Sequence, residues 1–243
     1  MRTRLDLLLV DRGLFESRAK ARAAIEAGGV TVDGKPATKA SLAVEEDADI
    51  SAVAAHPYVG RGGLKLEHAL TVWPVVVEGR TVLDVGASTG GFTEVCLLRG
   101  AACVYAVDVG QGQLHPRIAE DPRVTELSGQ DVRSLDTDLI PTAPQLVVCD
   151  LSFISVTKAL GPALALAAPG ADLVLLVKPQ FEAGRERVGK GGLISDPAVR
   201  QDCLDATAAW IAQQGWTVQA TTDSPITGGD GNHEFLLWAR KPQ

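Results

Sequence analysis

The sequence predicts an α/β protein in which a doubly wound, mostly parallel sheet follows a small α+β unit. Three observations carry that reading. From Arg80 onward, short apolar runs alternate with helical patterns, the rhythm of strand–helix–strand units. One of these runs enters a glycine-rich turn at 86–91, where such sheets cradle a ligand. The first forty residues also hold eight Lys/Arg against five Asp/Glu, although the whole chain carries a net charge of −7. A basic module on an acidic body follows, and a wholly basic nucleic-acid coat is excluded. At ~150 residues per domain, 243 residues suggest one or two domains. The content of 46 % hydrophobic and 22 % charged residues excludes disordered, collagen-like and disulfide-scaffold classes.

In the first unit, the apolar spacing of 5–10 suits a short helix, ended by Gly13 in a left-handed cap. Ser17 caps a second helix, 18–27, which sets Arg18 and Arg22 on one face with Ala21 and Ile25 inward, and Gly28-Gly29 stops it. Val30 to Val32 then enters a tight hairpin turn at Asp33-Gly34. An acidic turn at 45–49 and a strand at 50–53 complete the unit. This pattern fits either a small capping module or a nucleic-acid-binding one. The segment RLDLLLVDRGLFESRAKARAAIEAGGVTVDGKPATKASLAVEEDADI resembles the compact RNA-binding domain of a small-subunit ribosomal protein, also found in pseudouridine synthases. The resemblance implies that Arg4, Arg18, Lys20, Arg22 and Lys35 face RNA phosphates. Such contacts give salt-dependent affinity without base specificity.

A connector containing Pro57 precedes GRGGLKLEHAL, which sets the expected domains at 1–53 and 60–243 with a linker at 54–59. Strands are expected at 81–85, 103–107, 124–127, 146–149, 173–177, 216–222 and 234–239. Cys96, Cys103, Cys149 and Cys203 lack metal-ligand spacing and sit mostly in apolar runs, as buried thiols do, so no metal site is expected. No run approaches the ~20 apolar residues of a membrane span. A cytoplasmic protein without a membrane partner is expected.

VLDVGASTGGFTEVCLL reads as strand, glycine turn and helix start, with Gly86, Gly90 and Gly91 admitting a ligand close to the backbone. A dinucleotide fingerprint would need glycine at 88, where the chain has Ser88. Asp84, just before the turn, would repel a diphosphate and suits a cationic ligand, the methionine moiety of S-adenosyl-L-methionine. Asp108, ending the next strand, is placed for ribose hydroxyls, and Asp131 in GQDVRSL for the adenine amino group. Ala87, Ser88, Thr89 and Phe92 complete the candidate cradle, with Asp150 at its edge. Any one of these aspartates could instead cap a helix or turn.

Lys65, Asp150, Lys178 and Glu234 form the candidate catalytic set, since Asp150 and Lys178 each follow an apolar strand and Glu234 begins one. Strand ends of open sheets meet at the ligand crevice. A structural ion-pair network is the competing reading. Residues 60–241 resemble the FtsJ-like ribose methyltransferases, whose signature is a Lys-Asp-Lys-Glu tetrad. The domain order, with VGRGGLKL, DVGASTGGFT, CDLSFIS, VKPQFE and GNHEF, resembles the TlyA family. That resemblance implies a Rossmann-like class I methyltransferase with a seven-stranded sheet, acting on the 2′-hydroxyl of cytidine in ribosomal RNA. Some members are named haemolysins, and the family links the mark to capreomycin susceptibility. Shorter members are associated with the large subunit, the expectation here. A ribose hydroxyl is a weak acid and needs a nearby base. Lys178 is the expected base, lowered in pKa by burial and by the Lys65 ammonium, and no metal is called for. Asp150 would orient Lys178, and Glu234 would hold Lys65 or the ribose.

GRERVGKGGLISDP reads as a mobile basic loop, and its Arg185, Arg187 and Lys190 join Arg61 as RNA-binding candidates. Phe153 and Phe181 read first as packing residues and second as base-stacking ones. The competing functions are a nicotinamide oxidoreductase, a membrane-acting haemolysin and a non-catalytic RNA-binding or assembly factor. The oxidoreductase is opposed by the missing glycine and the haemolysin by the missing span.

Overall fold

The computed structural model describes residues 2–243, which divide into two compact units, one ending at Pro57 and the other spanning Tyr58–Gln243. The first contains β1 (Arg2–Arg4), α1 (Leu5–Asp11), α2 (Arg18–Glu26), β2 (Val30–Val32), β3 (Lys35–Pro36), β4 (Ala43–Glu45) and β5 (Ile50–Ala52). Ser17 Oγ accepts from Lys20 N, as a helix-capping serine does. Asp33 and Gly34 both take positive φ, 49° and 73°, which matches the twist of the β2–β3 hairpin. β1 and β4 pair antiparallel, a ribbon whose three-residue strands show no readable alternation. Leu5, Leu8, Leu9, Ala21, Ala24, Ile25 and Val30 form the core.

The second unit begins with α3 (Gly63–Val72), then β6 (Thr81–Val85), α4 (Gly91–Leu98), β7 (Cys103–Asp108), α5 (Pro116–Ala119), β8 (Val124–Ser128) and β9 (Leu146–Cys149). It continues with α6 (Val156–Ala159), α7 (Gly161–Leu166), β10 (Asp172–Val177), α8 (Pro179–Glu182), α9 (Pro197–Gln213), β11 (Thr217–Asp223) and β12 (Phe235–Arg240). The seven strands run in the order β11-β12-β10-β9-β6-β7-β8. β12 is antiparallel to both neighbours, and the pairs joining β10, β9, β6, β7 and β8 are parallel. Alternate side chains feed two cores, one with Leu83, Val85, Leu173 and Leu175 under α7 and α9, the other with Val82, Val174 and Leu176 under α3 and α4. Burial of both faces is what a parallel sheet requires.

Chain order reverses between β6 and β9. From β6 the chain builds outward through β7 and β8, then returns to lay β9 on the other side of β6. A ligand crevice opens beyond the carboxyl ends of the strands at such a point. No helix among the described residues is long and apolar enough to cross a membrane. Cys96, Cys149 and Cys203 are buried, and Cys103 is partly so.

Candidate active site

The glycine turn sits at that reversal. Gly86 takes φ 84°, and a Cβ there would lie 2.9 Å from Asp150 O, so the end of β9 can approach the turn only where a side chain is absent. Asp150 N donates to Val85 O at 2.9 Å, locking the two strand ends together. Gly60, Arg61, Gly62, Gly86, Ala87, Ser88, Thr89, Gly91, Phe92 and Asp150 line one open cleft, of about 390 Å³. A second cleft borders it at Ala87 and Ser88 and is walled by Asp108, Gly110, Gln113, Leu114 and Glu126. Gln113 and Glu126 belong to loop and strand segments with no sequence signature, so the sequence reading missed them.

Sheet register assembles the polar set. Cys149 pairs with both Val85 and Leu175, and Val177 pairs with Phe235. Asp150, Lys178 and Glu234 therefore stand one step past the paired ends of three adjacent strands. Lys65 reaches them from α3, where it is buried. Lys65 Nζ donates to Glu234 Oε2 at 2.5 Å, with side chains only 8 % and 2 % exposed. Lys178 Nζ lies 2.6 Å from Asp150 Oδ1 and donates to Ser152 Oγ at 2.7 Å. The four candidate residues thus meet at one rim as two ion pairs. The expected contact between ammonium groups gives way to a carboxylate partner for each, because like charges this deeply buried need counter-ions.

Asp84 is fully buried. Its Oδ2 accepts from Thr93 Oγ1 at 2.6 Å, and Oδ1 has no hydrogen-bond partner. Burial, opposed by the Thr93 hydrogen bond and assisted by the charges of Asp150 and Asp108, pushes its carboxyl up to about 7. An orphaned buried carboxylate oxygen beside the turn fits a cationic ligand, whose charge would favour the ionised form. Asp108 accepts from Ser88 N at 2.8 Å and Gly110 N at 2.7 Å. Those bonds shape the second cleft and leave lone pairs for ribose hydroxyls.

Other candidates are placed differently from the sequence reading. Asp131 caps the turn at Val132–Ser134 by accepting from Arg133 N, and its carboxylate pairs with the Arg133 side chain. Arg133 holds its pKa down to about 2. Arg4 and Arg18 both bind the buried Asp6 carboxylate. Lys20 pairs with Glu16 and Arg22 loosely with Glu26, at 3.8 Å, whereas Lys35 stands exposed on β3. In the second unit Arg61 is exposed and donates to Thr227 O. The basic loop is folded into turns at Arg185–Arg187 and Lys190–Gly192. Arg187 binds Asp202 and Ala183 O, while Arg185 and Lys190 point to solvent. Phe153 corrects its packing assignment. It is 91 % exposed, takes φ 67° and tilts against Phe181 at 5.4 Å. A bulky residue held in the left-handed region is strained, a condition found at functional loops.

Comparison with known proteins accords with this architecture. The FtsJ-like methyltransferase family profile matches residues 58–241, and the S4 domain profile matches residues 3–50. The 16S/23S rRNA (cytidine-2'-O)-methyltransferase TlyA of Mycobacterium tuberculosis is 45 % identical over 98 % of this chain and 90 % of that protein. The 23S rRNA (cytidine-2'-O)-methyltransferase TlyA of Campylobacter jejuni is 34 % identical over 74 % of this chain and 70 % of that protein. A solved structure from Streptococcus thermophilus, named as a hemolysin, superposes with a TM-score of 0.79 at 37 % identity, covering 100 % of this chain and 89 % of that one. With glycine turn, rim tetrad and profile all falling on the second unit, the chain belongs to the FtsJ-like methyltransferase family and carries an S4 domain at its amino-terminal end.

Proposed function

We propose that this enzyme transfers a methyl group from S-adenosyl-L-methionine to the ribose 2′-hydroxyl of a cytidine in ribosomal RNA. One observation carries the reading: two buried lysine–carboxylate pairs stand at the rim of the crevice that the glycine turn opens. The turn from Gly86 to Phe92 and the carboxylates of Asp84 and Asp108 would hold the methyl donor, whereas Asp131 is committed to its cap. Bound there, S-adenosyl-L-methionine supplies a methyl group activated by a sulfonium.

The chain's own residues must then remove a proton from a weakly acidic hydroxyl. Lys178, aligned by Asp150, is the base, and general bases of this kind contribute about 10²–10⁴-fold. Lys65, fixed by Glu234, orients the ribose and steadies charge on the attacking oxygen. Phe153 offers an exposed ring at the same rim on which the target base can stack. The S4 domain, with Lys35, Arg22 and Lys20, grips RNA backbone, and Arg61, Arg185 and Lys190 extend that grip to the second unit.

Both named relatives share 23S RNA in their names, which supports the large subunit as target and the cytoplasm as the place of action. Incubation of separated small and large ribosomal subunits with methyl-labelled S-adenosyl-L-methionine, followed by nucleoside mass spectrometry, tests the reading. Label recovered as 2′-O-methylcytidine from large-subunit RNA, lost with Lys178→Ala, is the expected result. Label on a base, or undiminished activity in Lys178→Ala, would overturn it.

A further inference from the structure

A base that takes up a proton in every cycle must also release it, and Lys178 is only 7 % exposed. Its ammonium is ion-paired with Asp150 Oδ1 at 2.6 Å and donates to two acceptors, Ser152 Oγ at 2.7 Å and the main-chain oxygen of Asp150 at 3.5 Å. Two of these three oxygens cannot hand a proton on as needed. A main-chain carbonyl carries no proton, and Asp150 Oδ1 stands beside the amine as a counter-ion without a hydrogen bond. The Ser152 hydroxyl both accepts and donates. Ser152 is an exposed residue, and among the described residues its own proton has no acceptor.

The loop carrying Ser152 is also held in place. Glu182 on α8, the helix that begins directly after Lys178, accepts from Ser155 Oγ at 2.5 Å and from Val156 N at 2.8 Å. Lys178 and the 150–155 loop are thus tied together at two points, which keeps Ser152 in register with the amine.

We infer that Ser152 is a positioning residue that serves as the proton outlet of Lys178, an inference that rests on Lys178 being the base. With the amine neutral, Nζ keeps one N–H donated to Ser152 Oγ, which leaves its single lone pair for the 2′-hydroxyl. As the 2′-oxygen forms its bond to the methyl carbon and the carbon–sulfur bond breaks, the 2′-O–H proton passes to Nζ. The ammonium then gives one proton to Ser152 Oγ, and the serine's original proton leaves to water, restoring both groups.

Other groups around Lys178 do not duplicate this path. Asp150 is in contact with it, and the Lys65–Glu234 pair occupies the neighbouring strand end. The Cys149 thiol is pushed up to about 12 by burial and stays neutral over the working range. Asp84, raised in part by the charge of Asp150, is common to parent and variant.

Ser152→Ala and Ser152→Thr test the inference through steady-state, multiple-turnover methylation of large-subunit RNA from pH 6 to 10, with Lys178→Ala alongside. For Ser152→Ala we expect kcat about tenfold lower at pH 7 with KM for RNA unchanged, and an ascending limb moved alkaline by about one unit so that rates converge with the parent near pH 10. Ser152→Thr restores the parent profile. S-adenosyl-L-methionine affinity and melting temperature, measured on the same preparations, report on folding. A Ser152→Ala enzyme that is unimpaired, or slowed equally at every pH while Lys178→Ala is dead, overturns this inference alone. Activity surviving in Lys178→Ala overturns the base assignment with it.

Discussion

Replacing Glu234 by Gln keeps the shape of the buried rim pair but removes one charge, leaving the Lys65 ammonium beside a neutral amide with its side chain only 8 % exposed. Removing one partner of a buried ion pair costs about 3–5 kcal/mol, because the remaining charge stays desolvated. Against a total stability of ~5–15 kcal/mol this is a large fraction. For a unit of this size each kcal/mol shifts the melting point by about 2–4 °C, so Glu234→Gln should melt roughly 6–20 °C below the parent.

A second substitution separates stability from chemistry. Lys65→Met with Glu234→Leu fills the same space with apolar groups, and such exchanges are neutral or stabilising in other buried pairs. The double variant should recover most of the lost melting temperature and still transfer no methyl groups. The assay is a melting curve followed by differential scanning calorimetry, paired with the labelled-subunit methylation assay. A single variant shifted by less than ~1 kcal/mol would mean that the pair behaves as a surface bridge. Methylation by the double variant would mean that the pair is structural and that the proposed role of Lys65 is wrong.

Gly228→Ala would set a Cβ 2.6 Å from Glu234 Oε1, and since Lys65 holds that carboxylate from the other side, methyl transfer should fall about tenfold with little loss of folding; normal rates would show that Glu234 can yield without consequence. Asp84→Asn should stabilise the ligand-free protein increasingly as pH rises. Burial raises this carboxyl to about 7 from 3.8, so the folded parent holds a proton the unfolded chain has released, and its stability is present at low pH and lost through pH 4–7. The Asn variant's advantage in denaturant titrations should therefore grow by about 2–3 kcal/mol between pH 5 and pH 8, and a pH-independent difference would contradict the shift. In the S4 domain, Lys35→Ala should weaken RNA binding and lower the slope of log affinity against log salt by about one, because its ammonium is exposed. Arg18→Ala removes a partner of buried Asp6, so its first effect should be a lower melting point for that unit.

Residues whose structure is decided within a few neighbours are legible in the sequence alone. The Ser17 cap, the Asp33-Gly34 hairpin and the glycine turn need only local backbone geometry, and β6, β7, β9, β10 and β12 announce themselves by apolar runs that a two-sided core demands. Of the elements too short to complete a period, β2 and β5 are legible by their β-branched residues, and others are not. β1 and β4 have three residues each, and α5, α6 and α8 have four, fewer than two helical turns. The charges divided in the same way. Asp131 and Arg133, two residues apart, pair with each other locally, a contact that a strand-end position alone does not reveal. Nothing in the spacing of Arg4 and Arg18 reveals that both pair with Asp6.

The rim pairs show why topology had to supply the rest. Lys65 and Glu234 are 169 positions apart, and no local rule links them. Glu234 reaches the carboxyl ends of the parallel strands only because β12 runs antiparallel, so that its beginning lies where the other strands finish. In a wholly parallel sheet the same residue would sit at the opposite edge, and Lys65 would be an unpaired buried cation. The reversed strand therefore does chemical as well as architectural service: it brings a second carboxylate to the crevice. Each lysine then has its own counter-ion, and Lys178 needs a separate partner to lose its proton, the place Ser152 occupies.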